Sequence, residues 1–196
     1  MKRGVKTIKK ANGAIRIISG RWRGRKLPVL DVQGLRPTTD RNKETLFNWL
    51  MPYTREAKCL DAFAGSGGLG FEALSRYAAS TTFIELDKKA AIKLSDNIKL
   101  LDISSEQVTV IQGSATEELA RLNVKFDLIF LDPPFNKCLL AGVINTIAEH
   151  ELLTLDGVIY IECEGQGGNY TVPDGWQLIK EKQTSQVQAR LYQRQS

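Results

Sequence analysis

DAFAGSGGLG, residues 61–70, decides the fold. The stretch CLDAF (59–63) reads as a short buried strand. Gly65 to Gly70 then forms a glycine-rich loop, and Leu69 to Tyr77 a helix. The same strand-then-helix alternation continues downstream. TTFIEL (81–86) is a strand, and Asp87 caps a helix whose apolar set is Ala91, Ile92, Leu94, Ile98 and Leu101. Val108 to Ile111 is a strand and Ala115 to Leu122 a helix. FDLIFLD (126–132) is a strand, Leu139 to His150 a helix, and GVIYIEC (157–163) a strand. Gln177 to Lys182 and Val187 to Tyr192 close the chain as a hairpin. Short apolar strands separated by helices predict an α/β fold with a mostly parallel sheet covered on both faces. Ligands of such sheets bind beyond the carboxyl ends of the strands, where the strand order reverses.

Upstream of this region, AIRIIS (14–19) and RKLPVL (25–30) flank a Gly20–Gly24 turn and predict a small hairpin, with Pro28 keeping its strand at an edge. Gly34 to Pro37 is a turn, and Thr39 or Asp40 can cap a helix with Leu46, Phe47, Trp49 and Leu50 on its apolar side. Pro52 is expected to end that helix near Met51. The reading divides the chain into a basic N-terminal arm and hairpin, residues 1–36, and a main domain, residues 37–196.

Composition narrows the function classes. The 196 residues are 42% hydrophobic and 25% charged, as in a water-soluble globular protein. No apolar run of about 18 residues is present to span a membrane. The cysteines Cys59, Cys138 and Cys163 form no CxxC pair, so a reducing cytoplasm is the expected location. His150 is the one histidine, which excludes a multi-His metal site and argues against a His-dependent nucleophile. Charge is uneven. Residues 1–43 hold thirteen Lys and Arg against Asp31 and Asp40, a net of +11, while the other 153 residues carry −6. A basic end on a mildly acidic body suggests a polyanion partner. For Met1 to Lys10 a solvated tail is an equal reading. In Arg21-Trp22-Arg23-Gly24-Arg25-Lys26 the interleaved indole favours nucleic-acid binding, with Trp22 either stacking on a base or packing on the body.

Gly65, Gly67 and Gly70 satisfy the G-x-G-x-x-G spacing, which by itself is a weak sign of a dinucleotide site. Free N–H groups at a helix start favour an anion, and a carboxylate suits them as well as a pyrophosphate. Two acids favour the carboxylate. Asp61 sits in the strand before the loop, where a pyrophosphate would be repelled and an ammonium or sulfonium tolerated. Glu85 ends the next strand, about 20 residues past the loop, where a carboxylate can accept both ribose hydroxyls. An adenosine joined to an amino acid through a sulfonium is S-adenosylmethionine. Phe63 and Thr38 join the expected cofactor set.

Asp132-Pro133-Pro134-Phe135 follows the apolar strand directly. Two prolines there stop both ladder pairing and helix entry, leaving a rigid turn at the sheet edge. An exocyclic amine is a poor nucleophile because its lone pair is delocalised into the base. Asp132 and a nearby backbone carbonyl could accept its two N–H bonds and aim the lone pair at a methyl group, with Phe135 stacking on the displaced base. The transfer is an in-line displacement that needs orientation and desolvation but no metal.

Taken together, DPPF and DAFAGSG resemble the class I S-adenosylmethionine-dependent methyltransferases of exocyclic amines. IRIISGRWRGRKLPV, LRPTTDRNKETLFNWL, LDAFAGSGGLGFEALSR and FLDPPF are similar, more narrowly, to the RsmD-type family. That resemblance implies methylation of the N2 amine of one guanine in 16S rRNA of the bacterial small ribosomal subunit, free or within an assembled or partly assembled 30S particle, with S-adenosyl-L-homocysteine as product. It implies cofactor contacts from Asp61, Gly65, Ser66, Gly67 and Glu85, and catalysis around Asp132 to Phe135. It also implies a seven-stranded sheet ending in an antiparallel hairpin, an N-terminal hairpin used for RNA, and action as a monomer. Many members place an Asp beside the adenine after the third strand; here Ser114 or a backbone N–H would replace it.

Thr38 or Thr39 could close over the cofactor carboxylate, with Arg36 and Arg41 on phosphate; helix capping and a surface ion pair explain the same residues equally. Three other classes compete with the main reading. One is an amine methyltransferase on another polymer, DNA adenine-N6 or protein amide. Another is an RNA-binding module without cofactor, against which the intact loop, Glu85 and DPPF argue. The last is a nicotinamide oxidoreductase resting on the glycine spacing alone.

Overall fold

A computed structural model describes residues 13–30, 40–134, 138–165 and 170–195. A two-stranded hairpin, β1 (Ala14–Arg16) and β2 (Lys26–Pro28), is followed by α1 (Asp40–Trp49) and α2 (Met51–Thr54). Then come β3 (Lys58–Asp61), α3 (Gly68–Ser75), β4 (Ser80–Glu85), α4 (Lys88–Leu100), β5 (Val108–Gln112), α5 (Ala115–Leu119), β6 (Phe126–Leu131) and α6 (Leu140–Glu149). The chain closes with β7 (Leu153–Glu164), β8 (Trp176–Gln183) and β9 (Val187–Arg194). The main sheet has seven strands in the order β5-β4-β3-β6-β7-β9-β8. β3 to β7 pair in parallel and β9 runs antiparallel to both its neighbours. This is the Rossmann-like sheet with a closing antiparallel hairpin that the alternation predicts. The chain steps outward from β3 to β5 and then returns to lay β6 against the other side of β3, so the switch point lies between β3 and β6.

Both faces of the sheet are covered. Leu60, Ile129, Leu131 and Ile159 pack on Leu119, Val143, Ile144 and Ile147 of α5 and α6. On the opposite face, Cys59, Leu128, Phe130 and Val158 pack on Leu46, Phe47, Leu69 and Ala73 of α1 and α3. The alternation along each central strand follows from the two-residue repeat of the pleat. Gly70 lets α3 lie close to the sheet: a Cβ there would come within 2.2 Å of the Phe83 ring.

Several local expectations are corrected. Pro52 does not simply end the helix; α1 stops at Trp49 and Pro52 enters the first turn of α2, where its missing N–H is no loss. Ile92 is 54% exposed, and Asn97 takes a buried place on α4, donating to the Pro28 carbonyl of the hairpin. β7 begins at Leu153, four residues earlier than the apolar run suggests, because its pairing with β6 shifts register between Phe126 and Leu128. Among the described residues no helix is long and apolar enough to cross a membrane.

The hairpin is fastened to α3 by a buried carboxylate. Glu72 is 0% exposed. Its Oε2 accepts the Ile18 N–H at 2.8 Å and its Oε1 the Ser19 N–H at 3.0 Å. Arg76 Nε donates to the same Oε1 at 2.8 Å, and Lys43 Nζ lies 3.7 Å away while also donating to the Arg16 carbonyl. Burial pulls the Lys43 ammonium pKa down, and the Glu72 and Asp40 charges oppose that shift. One turn along, the Ser75 hydroxyl donates to the Ser19 carbonyl at 2.6 Å and accepts the Trp22 N–H at 3.0 Å. Gly20 is obligatory in this contact. Its φ is +81°, and a Cβ would sit 1.8 Å from the Ser75 carbonyl oxygen.

Truncating Glu72 strips two backbone N–H groups and two cations of a shared acceptor in a site that water does not reach. Glu72→Ala is expected to lower unfolding stability by about 3 kcal/mol in urea titrations. An unchanged midpoint would mean that the hairpin is held by its apolar contacts alone.

Candidate active site

Four strand ends meet over one crevice of about 1820 Å³. Its lining includes Asp61, Phe63, Gly65, Ser66 and Gly68 from the β3–α3 region, Glu85 from β4, Ser114 before α5, Asp132 to Pro134 after β6, and Glu162 from β7. A pocket for one small molecule commonly measures roughly 300–1,000 Å³. This crevice therefore has room for a nucleoside-sized cofactor and a second reactant.

Asp61 is 2% exposed, and its Oδ2 accepts the Gly70 N–H at 3.0 Å. The carboxylate thus passes under the glycine loop and ties the first turn of α3 to the end of β3. Burial pushes its pKa up to about 7; the Gly70 hydrogen bond pulls down, and the Glu85 charge pushes further up. Gly65 and Gly67 hold φ of +52° and +78°, which fold the loop back over β3. Glu85 is half-buried and held at both oxygens: Oε2 accepts the Gly65 N–H at 2.6 Å and Oε1 the Asp87 N–H at 2.8 Å. Each oxygen keeps a second lone pair for a ligand hydroxyl. Asp87 caps α4, its Oδ1 accepting the Ala90 N–H at 2.8 Å. Ser114 precedes α5 without spending its side chain on the helix cap.

Asp132 lies at the floor of the crevice directly past the end of β6. Burial raises its pKa well above the usual carboxylate range, and the charges of Glu162 and Asp61 add to the rise. Pro133 is buried and Pro134 exposed, so the turn is anchored on one side and open on the other. Gly65 and Pro133 face the same crevice. Among the described residues no Lys or Arg forms an ion pair with Asp61, Glu85 or Asp132. Acids thus cluster at the strand ends, and the lining around them also carries Arg16, Lys26, Lys43, Lys88 and Lys182.

The remaining candidates divide clearly. Arg21, Arg23, Arg25, Lys26 and Arg41 are exposed. Trp22 is 8% exposed and packs with Ile15, Ile17, Leu27, Phe71 and Leu74, so of its two roles the fold gives it packing. The Arg21 guanidinium covers the indole, 5.1 Å from the ring centroid. Thr38, Arg36 and Phe135 lie outside the described residues. Sequence reasoning missed Arg16, Tyr160 and Glu162, which all line the crevice. Arg16 alternates outward on a short strand, and the two β7 residues sit inside a run read only as apolar; no motif marks them.

The raised Asp61 pKa has a sign that can be checked. An unfolded Asp ionises near pH 4, the folded one near pH 7. Wild-type stability therefore falls as pH rises from about 4 to about 7. Asp61→Asn, which can still accept the Gly70 N–H, escapes this loss. It is expected to melt roughly 5 °C above wild type at pH 8 and to match it near pH 4.5. Equal melting temperatures at both pH values would refute the buried, reluctant carboxylate.

Comparison with known proteins agrees with this geometry. The family model described as "Conserved hypothetical protein 95" matches residues 15–193, hairpin and crevice together. The chain is 52% identical to ribosomal RNA small subunit methyltransferase D of Haemophilus influenzae, over 93% of this chain and 95% of that one. It is 49% identical to the protein of the same name in Escherichia coli, over 94% and 92%. A solved structure from Escherichia coli superposes with a TM-score of 0.86 at 47% identity, covering 93% of this chain and 99% of its own. The shared stretch carries the basic hairpin, the glycine loop and the Asp-Pro-Pro turn in one frame, and the chain belongs to the RsmD-type methyltransferase family.

Proposed function

We propose that the protein transfers a methyl group from S-adenosylmethionine to the exocyclic N2 amine of a guanine in 16S ribosomal RNA. The observation that carries the proposal is the acid-lined crevice at the switch point, with the glycine loop on one wall and the Asp-Pro-Pro turn on the other. An incoming pyrophosphate would meet Asp61, Glu85 and Asp132 with no paired cation among the described residues, which disfavours a nicotinamide dinucleotide. A ligand with an ammonium and a sulfonium is attracted by Glu85 and favours the ionised forms of Asp61 and Asp132. The relatives named for ribosomal RNA methylation support the RNA substrate.

When bound, the cofactor supplies an electrophilic methyl group on sulfur. Everything else falls to the chain. Glu85, fixed by the Gly65 and Asp87 N–H groups, accepts ribose hydroxyls. Backbone around Gly65 to Gly68 approaches the amino-acid end, and Asp61 keeps that backbone in place. Phe63 and Ser114 border the base-binding side. Asp132 accepts an N–H bond from the target amine, with a carbonyl of the proline turn as the second acceptor. Two such bonds favour a pyramidal nitrogen with its lone pair aimed along the C–S axis. Phe135 is assigned to stacking on the guanine, and Thr38 to the cofactor carboxylate. Arg21, Arg23, Arg25, Lys26, Arg36 and Arg41 are assigned to RNA phosphates, with Arg16 and Lys26 carrying the basic surface to the crevice lining.

The test is methylation of RNA from cells lacking this protein, followed by nucleoside mass analysis for N2-methylguanosine. Calorimetry alongside should detect S-adenosylmethionine and not NAD. Asp132→Ala is expected to lose turnover by about two orders of magnitude or more while donor affinity stays within threefold. Wild-type turnover in that variant would remove Asp132 from the chemistry. Replacing Arg21, Arg23 and Arg25 by Ala is expected to weaken RNA binding and flatten its salt dependence, by roughly one unit of slope for every phosphate no longer neutralised. An unaltered slope would return those arginines to solvent.

A further inference from the structure

Tyr160 and Glu162 lie two residues apart on one face of β7, the face that meets the crevice. Tyr160 is 3% exposed, yet its hydroxyl donates to Glu162 Oε2 at 2.6 Å. Leu131 of β6 pairs with Ile161 of β7. Continued one step, that register brings Asp132 next to Glu162 on the same face, and the Glu162 charge acts on Asp132. Two acids placed next to each other in a water-poor site do not both ionise readily; they share protons as a unit. A tyrosine committed to one of them fixes its orientation and its preferred charge state.

We propose that Glu162, oriented by Tyr160, is a positioning residue that works through Asp132: the two carboxyls form an acid pair that takes up the proton shed by the target amine as the methyl group arrives. The proposal rests on the methyl-transfer reading of the crevice. In the balanced step, the amine lone pair forms the new N–C bond and the electron pair of the broken C–S bond stays on sulfur. One N–H proton passes to the carboxyl pair and from there to water.

The surroundings are consistent with a basic Asp132. Beyond burial, the Glu162 charge is the largest contribution that raises its proton affinity, followed by Asp61. Tyr160 itself titrates high, through burial first and then the Glu162 and Asp132 charges, so it stays a donor throughout the working range. Asp61 on β3 is the other acid whose charge acts on Asp132; among the described residues the shared lining also carries Asp40, Glu85 and Asp87, with Lys43 on α1 and Lys182 on β8 among its cations. Ala189 of β9 pairs with both Glu162 and Lys182, which puts one neutral residue between that lysine and the glutamate. A purely structural Tyr160–Glu162 bond would tie β7 to itself and leave Asp132 untouched.

Glu162→Gln keeps the size and an acceptor for Tyr160 but removes the charge, and Tyr160→Phe removes the donor. The first readout needs neither cofactor nor RNA: carbon-detected NMR of the Asp132 carboxyl, assigned with Asp132→Asn. In E162Q its titration midpoint is expected to fall by about one pH unit. In Y160F it should move the same way by less, because Glu162 without its donor takes more of the shared proton. Single-turnover methylation should show the rising limb of the pH profile displaced downward by the same amount, with a plateau rate about tenfold lower. Donor affinity and KM for RNA should stay within twofold. An Asp132 midpoint identical in wild type, E162Q and Y160F overturns the acid pair. Failure of the wild-type protein to bind the methyl donor overturns the methyl-transfer reading instead, and leaves the Asp132 midpoints to decide the pair by themselves.

Discussion

Parallel pairing of β4, β3, β6 and β7 brings four strand ends to one edge of the sheet, and each end carries an acid. Asp61, Glu85, Asp132 and Glu162 come from segments far apart in the chain. Register alone gathers them. Like charges crowded in a half-closed crevice repel one another, and burial raises the pKa of the deeper ones, Asp61 and Asp132. The site therefore holds an electrostatic tension in its ligand-free form that a cation relieves. On the proposed function, that arrangement would serve both a sulfonium and the target amine.

Backbone N–H groups make this tension tolerable. Glu85 takes two of them and Asp61 takes one, so the acids that shape the cofactor side are built into the loop that surrounds them. The loop and its carboxylates are one unit: the left-handed glycines turn the backbone, and the carboxylates collect the donors that the turn exposes. Asp132 sits differently. It follows a strand and precedes two prolines that contribute no N–H, and the Glu162 charge on β7 acts on it.

The basic hairpin obeys the opposite rule. Its arginines point to solvent, but its backbone is pinned to α3 through a carboxylate that water does not reach. Trp22 and Gly20 belong to that anchorage. A hairpin held in this way presents a fixed pattern of cations beside the crevice, so a polyanion docking on it would cost the protein little further ordering entropy.

The amino-acid sequence by itself determined the alternation of strand and helix, the glycine loop, the acid at each of the first two strand ends and the Asp-Pro-Pro turn. All of these are local: period, turn chemistry and adjacency in the chain are enough to read them. The register between strands could not be read that way, because pairing partners lie tens of residues apart and only packing selects them. So the neighbourhood of Asp132 and Glu162, the burial of Trp22 and the anchoring role of Glu72 were decided by the tertiary structure. Glu72 makes the point most plainly. In the sequence it is one acid on a short helix, and only the docking of a hairpin more than fifty residues away turns it into the acceptor of two backbone N–H groups and a neighbour of two cations.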